Sequence, residues 1–251
     1  MKQLVTAAVC IAMTLAVPGA AMAYRPFVST DAAVADPREL EIELGAVTVA
    51  HSGRENTFTA PSVVLNYGFL EQFELVAEGR LQEGATTELV EPALSVKAVL
   101  REGVLQEKEG PSLAVEAGML LPSTERGEHG VGFEAVGILT GRVAPVTFHL
   151  NAGGGVDRSQ RRPFGVWGLI GEVPLTERLR LVSEVNGEAV RAERASNSVL
   201  AGLIWQPTAS NVFLDVAVRR GLTGGASDWE VTAGVTFGLR LPGAPGRAGR
   251  Q

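Results

Sequence analysis

The stretch LAVEAGMLLPSTERG, Leu113–Gly127, decides how the rest of the chain is read. Leu113, Val115, Ala117, Met119 and Leu121 are apolar at every second position, and Glu116 sits among them. A period of two is that of a β-strand with two unlike faces. A carboxylate on such a strand is costly unless its own face is wet. The water lies either outside a soluble sheet or inside a closed one.

The same alternation recurs across the chain. Twelve segments of roughly ten residues carry it: 39–50, 58–69, 72–82, 90–102, 112–122, 130–143, 146–157, 163–175, 178–190, 197–207, 211–220 and 229–241. Ten residues is about the length with which a tilted strand crosses a bilayer. In 72–82, Phe73, Leu75, Ala77 and Leu81 alternate with Glu74, Glu78, Arg80 and Gln82. In the last segment Trp229, Val231, Ala233, Val235, Phe237 and Leu239 alternate with Glu230, Thr232, Thr236 and Arg240. Apolar-out and polar-in, repeated around a closed sheet, is the pattern of an outer-membrane barrel. A soluble exported β-sandwich that binds a ligand also alternates and stays open as a reading.

The connections separate the two. Those after the odd segments are polar: HSGRENT, EGATTEL, STERGEHG, RSQRR, RAERAS and GLTGGAS. Those after the even segments are short, LEQ, VAP, LTE and TAS, with GVLQEKEGP (103–111) the exception. Sorting turns by end is expected of a membrane barrel with both chain ends in the periplasm, and a sandwich has no reason for it. The expected fold is therefore all-β: a closed antiparallel transmembrane barrel of about twelve strands. Tyr67, Phe69, Phe73, Phe148, Trp205 and Phe237 fall near the expected periplasmic ends, and Phe58, Phe133 and Trp229 near the outer ends, as girdle residues would.

The ends of the chain fit export. Lys2, a short apolar run and Ala21-Met22-Ala23 have the form of a cleaved signal peptide over 1–23. Residues 24–38 then read as a periplasmic lead-in, 39–241 as the barrel and 242–251 as a periplasmic tail. Cys10 is the only cysteine and lies inside the signal, which excludes disulfides and thiolate chemistry from the remainder. A net charge of -6 argues against nucleic acid as a partner.

The expected inward, solute-contacting set is Glu41, Glu43, Glu74, Glu78, Arg80, Lys97, Glu116, Glu134, His149, Asn151, Arg180, Glu184, Asp215 and Glu230. Glu91, Arg101, Arg178, Arg219 and Arg240 extend it. Such a set lines a selective pore, or pairs across strands and fills a narrow barrel. His51, His129 and His149 are too dispersed for a metal site, and no catalytic or cofactor-binding residues are expected. His149 with Asn151 as parts of a lipid hydrolase lacks a neighbouring serine nucleophile. NAGGGVD lacks the Lys-Ser/Thr of a phosphate loop. Arg158, Arg161 and Arg162 in RSQRR are candidates for lipopolysaccharide phosphates.

RPFVSTDAAVADPRELEIELG (25–45), PSVVLNYGFLEQFELVAEG (61–79), PSLAVEAGMLLPSTERG (111–127) and FHLNAGGG (148–155) together resemble the MetA-pathway phenol-degradation family of outer-membrane transporters. The pair Thr30-Asp31 before a Glu-rich first strand carries the likeness most directly. The resemblance implies a barrel in the outer membrane of a Gram-negative cell that passes small compounds, aromatic or hydrophobic ones among them. Its partners would be membrane lipid, lipopolysaccharide, a small solute and the barrel-assembly machinery. A non-conducting structural barrel and a lipid-modifying one are the alternatives.

Overall fold

The computed structural model describes residues 25–84, 86–208 and 211–242. The proposed signal and most of the proposed tail lie outside the described residues. Twelve strands follow in chain order: β1 (Glu39–Ser52), β2 (Glu55–Leu70), β3 (Phe73–Glu83), β4 (Thr87–Arg101), β5 (Ser112–Leu120), β6 (Gly132–Val143), β7 (Val146–Val156), β8 (Pro163–Pro174), β9 (Leu179–Val190), β10 (Ser196–Trp205), β11 (Val212–Gly221) and β12 (Trp229–Arg240). One short 3₁₀ turn, η1 (Val104–Gln106), interrupts the connection between β4 and β5.

Every strand pairs antiparallel with its neighbours in sequence, and β1 closes on β12. The seam runs from Glu39 opposite Arg240 to His51 opposite Trp229. Closure leaves no unpaired edge, which is what a sheet needs in lipid. β1 begins and β12 ends on the side away from the β1–β2 turn, so Arg38 and residues 241–242 lie at one end. That is the inner end here, and the β1–β2 turn marks the outer end.

Register fixes the faces. On β5, Leu113, Val115, Ala117 and Met119 face out, while Ala114, Glu116 and Gly118 face in opposite Val99, Lys97 and Ser95. Leu121 lies past the strand, where its N–H bonds the Pro92 carbonyl at 2.8 Å. Outward residues such as Leu75, Val96, Leu150, Leu169, Leu181, Val216 and Val231 are exposed on every side of the barrel. A continuous apolar band of this kind is unfavourable in water and matches the hydrocarbon face of a membrane barrel. Phe69 and Phe73 pack with ring centroids 6.0 Å apart at the inner end, and His51 stacks on Trp229 at the outer end.

Two connections differ from expectation. HSGRENT is almost entirely strand: Ser52 pairs with Glu55, and only residues 53–54 turn, with Gly53 at φ 62°. EGATTEL shrinks to 84–86. β1 and β2, at 14 and 16 residues, exceed what a bilayer requires. Their polar outer ends, with His51 opposite Asn56 and Ser52 opposite Glu55, continue the ladder above the membrane instead of forming loop.

The larger correction concerns 24–38. The described part of this segment is no periplasmic lead-in, because it lies inside the barrel. Ala32 is fully buried, and Asp31 is 3 % exposed. The segment has no period of two or 3.6, so nothing in its pattern marks a wall to lean on.

Candidate functional site

The candidate site is the lumen, and it has two halves. The inner half is filled by residues 25–36, which follow the inner wall around the barrel. Ala35 N–H donates to Glu74 on β3 at 2.7 Å, and Ala32 N–H to the Thr140 hydroxyl on β6 at 3.1 Å. Thr30 and Asn151 on β7 exchange two bonds: Thr30 N–H to Oδ1 at 3.2 Å and Asn151 Nδ2 to the Thr30 carbonyl at 2.7 Å. Glu184 on β9 accepts the N–H of Ser29 at 2.8 Å and that of Val28 at 3.1 Å. Phe27 packs against Val182 and Ile204 beside Phe213. Arg25 reaches Asp215 at 3.4 Å, Thr232 at 2.8 Å and Ser62 at 3.1 Å, on β11, β12 and β2.

Buried backbone groups need partners, and here the wall's side chains supply them. The wall also makes room. Gly45 and Gly234 stand opposite each other on β1 and β12, and a Cβ on either would strike the Arg25 guanidinium. A Cβ on Gly168 would strike Ser29.

Lys97 is the centre of the inner half. It is 1 % exposed, with Nζ 3.0 Å from the Thr30 hydroxyl, 3.5 Å from Glu74 and 3.8 Å from Asp31. A charge so buried persists only when paired and hydrogen-bonded. Glu184 is similarly held by Arg219 at 2.9 Å, which also bonds Asn186 and Ser198. The exceptional connection GVLQEKEGP has its explanation here. Gln106 of η1 donates to the Ala32 carbonyl at 3.2 Å, and Leu105 packs on Ala32, Ala114 and Ile138. The long turn folds under the segment.

His149 lies in a second buried network, 2.9 Å from Thr140 Oγ1 and 3.2 Å from Glu172, which Arg180 meets at 2.8 Å. With Nε2–H donating to the carboxylate, Nδ1 accepts the hydroxyl proton and Thr140 Oγ1 accepts the Ala32 N–H. Hydroxyl, imidazole and carboxylate in a row suggest a hydrolytic triad, but Thr140 is fully buried under the segment it anchors. Asn151, the other half of the hydrolase reading, is occupied by Thr30.

The outer half is an open cavity of about 780 Å³ whose floor is Phe27, Val28, Ser29 and Thr30. Twelve carboxylates and five cationic side chains line it. Arg80 pairs with Glu91, and Arg219 lies 3.7 Å from Glu230. Arg162 meets Asp157 at 2.8 Å and Glu193 at 2.6 Å. Arg158 is spent on the carbonyls of Leu121 and Pro92, at 2.8 and 2.9 Å. Among the described residues Glu78, Glu134 and Glu188 have no cation within 4.0 Å. Low-dielectric walls around an excess of one charge sign concentrate the opposite ion. Burial alone would raise the Asp157 carboxyl at the rim. The N–H and guanidinium of Arg162, the N–H of Gln160 and the Ser159 hydroxyl outweigh it and hold the pKa at about 2.

All fourteen residues of the expected solute-contacting set point inward in the register. The segment or buried networks occupy Glu43, Glu74, Lys97, His149, Asn151, Arg180, Glu184 and Asp215, and Glu41 is buried beside them. Glu78, Arg80, Glu116, Glu134 and Glu230 face the open cavity, with Glu116 accepting from Ser95 at 2.5 Å. Two of the additional residues are misplaced. Arg101 is exposed at the end of β4 opposite outward-facing Leu113, and Arg178 lies in the β8–β9 turn. Both stand where alternation stops at a strand end. In RSQRR, Arg158 is engaged with the carbonyls of Leu121 and Pro92 and Arg162 with Asp157 and Glu193, which leaves Arg161 exposed. Glu188 lies on the inward face, as the alternation of the ninth segment with Arg180, Glu184 and Asn186 expects, although it is not in the solute-contacting set. Thr140, Glu172 and Gln106 are not marked by the sequence reading, and of these Glu172 continues the inward alternation of β8 and is legible there.

Comparison with known proteins agrees with this architecture. No curated protein matches the sequence. The NanC porin superposes with a TM-score of 0.58 at 8 % identity, covering 79 % of this chain and 98 % of that one. The outer membrane channel DcaP of Acinetobacter baumannii gives 0.41 at 13 % identity, over 79 % and 72 %. At such identities the NanC likeness speaks for the fold, which is that of outer-membrane β-barrels. A family profile described as uncharacterised conserved protein UCP029691 matches residues 11–239. That profile is not the MetA-pathway one, and what stands of the MetA resemblance is the barrel. The chain belongs to the UCP029691 family.

Proposed function

We propose that the protein is an outer-membrane channel for small polar solutes, cationic ones above all, admitted through the outer cavity. The observation that carries this is the open 780 Å³ cavity with its excess of carboxylates, of which Glu78, Glu134 and Glu188 lack a paired cation. A hydrophobic or plain aromatic compound, as the MetA resemblance implies, would strip water from those carboxylates without replacing it. The outward apolar band supports a place in the outer membrane, reached by export through the 1–23 signal and insertion by the barrel-assembly machinery. Lipid and lipopolysaccharide are then its surroundings.

The test is conductance of the purified protein in planar bilayers across a potassium chloride gradient. Current with a reversal potential on the cation side supports the reading. Silence across salts and solutes overturns it in favour of a non-conducting barrel, the second reading, which the filled inner half favours.

A further inference from the structure

We infer that residues 25–37 are a displaceable plug, and that solutes cross the inner half of the barrel only when this segment swings out about its junction with β1. This rests on the channel reading above, and concerns its regulation. The barrel wall cannot open, because every strand is laddered to two neighbours. The segment has no such ladder. It joins the wall covalently at Arg38–Glu39, and elsewhere it is held by hydrogen bonds between its main-chain groups and wall side chains, by the ionic contacts of Arg25, Asp31 and Asp36, and by two apolar anchors.

Those contacts are replaceable. Glu74, Thr140, Asn151 and Glu184 accept segment N–H groups, and in an open lumen water or solute supplies the same donors. The apolar anchors are few: Phe27 on Val182 and Ile204, and Ala32 on Ala114 and Ile138. Ionic contacts hold the two ends and the middle through Arg25–Asp215, Asp36–Arg240 and Asp31–Lys97, at 3.4, 3.5 and 3.8 Å. Four inward glycines, Gly45, Gly68, Gly168 and Gly234, lie where segment atoms press on the wall, so the recess is fitted to it. Once empty, that recess presents Lys97, Asn151, Glu184, Asp215 and Arg219 to the lumen. They continue the charged lining of the outer cavity toward the inner end.

A disulfide tests the movement. The Ser29 Cβ is 3.0 Å from where a Cβ on Gly168 would stand, so a small outward shift of the segment, about 0.5–1 Å, brings the pair to the Cβ spacing of about 3.5–4.5 Å that a disulfide requires. In a Cys10→Ala background, S29C/G168C locks the segment to β8 when oxidised. We expect loss of conductance on oxidation and recovery with dithiothreitol, with heat-modifiable migration confirming a folded barrel in both states. A locked protein that conducts like the reduced one overturns the plug while leaving the channel intact. If the reduced protein is silent too, the channel reading fails, and A32C decides the plug separately. Ala32 is fully buried between wall and η1, so a charged thiol reagent modifies A32C in the folded protein only if the segment leaves. Lack of modification overturns the inference.

Discussion

Asp31 and Lys97 meet at 3.8 Å inside the barrel, the one on the segment that fills the lumen and the other on the wall. Glu74 joins them from β3 at 3.5 Å, so a single ammonium offsets two buried carboxylates. Removing one partner of such a cluster leaves charge buried without compensation, at about 3–5 kcal/mol. Lys97→Met is expected to destabilise the protein by that order and Lys97→Arg by less. The midpoint of the heat-induced gel shift checks this; equal midpoints for wild type and K97M contradict it.

The outer cavity carries a selectivity prediction. Glu78, Glu134 and Glu188 line it from β3, β6 and β9, with no cation within 4.0 Å among the described residues. The triple variant E78Q/E134Q/E188Q keeps shape and removes three charges. Its reversal potential in a salt gradient should move toward zero or to the anion side. An unchanged potential would place the selectivity elsewhere.

Much of this architecture is legible in the sequence because a barrel strand exposes its rule locally. Glu116 looks anomalous until Leu113, Val115, Ala117 and Met119 are given to lipid and Glu116 to the lumen. The same parity places Glu41, Lys97 and Asp215 inward without any knowledge of their neighbours. What parity cannot convey is depth or partner. Lys97 and Glu78 are equally inward, yet one is sealed under Thr30 and Asp31 while the other faces open water. The difference is made by residues 25–36, whose run of Ser, Thr, Asp and Ala has no period. Indirect signs were present: GVLQEKEGP was too long for a periplasmic turn, and Gly45, Gly68, Gly168 and Gly234 sit at inward positions where a pore wants side chains. Each became interpretable only with the segment in place.

The lipid-facing assignment has its own test. Leu150 lies mid-strand on β7 facing out, and His149 beside it faces in. Arginine at the bilayer midplane of a barrel costs about 2–4 kcal/mol. Leu150→Arg should therefore lower stability in lipid vesicles by that order, measured by denaturant unfolding. A soluble sheet would accept the change almost neutrally, and such a result would contradict the membrane placement.

The His149 network is structural in this arrangement, so its removal should register as stability. His149→Ala leaves Thr140 without its imidazole and Glu172 with Arg180 alone. A buried group so unpaired costs about 1–3 kcal/mol. The expected outcome is a lower unfolding midpoint with lipid hydrolysis at the same background as wild type. Hydrolysis present in wild type and lost in H149A would restore the enzyme reading.

The rim loop after β7 responds to acid in a direction set by Asp157. Its carboxyl is held at about 2, below the ordinary 3.8, by donors that favour the charged form. A carboxyl depressed in the folded state contributes stability that is complete above its unfolded value and disappears as pH falls through the folded one. The loop of residues 157–162 should thus stay ordered down to about pH 4 and loosen between there and about pH 2. Asp157→Asn removes the charge and replaces Oδ2, the acceptor for the Arg162 guanidinium and the Ser159 hydroxyl, with an amide donor, and with the charge goes the pH dependence. Hydrogen exchange of this loop, followed in both proteins from neutral pH downward, separates the cases. Wild-type protection that is lost at the same pH as in D157N would show that another group holds the rim.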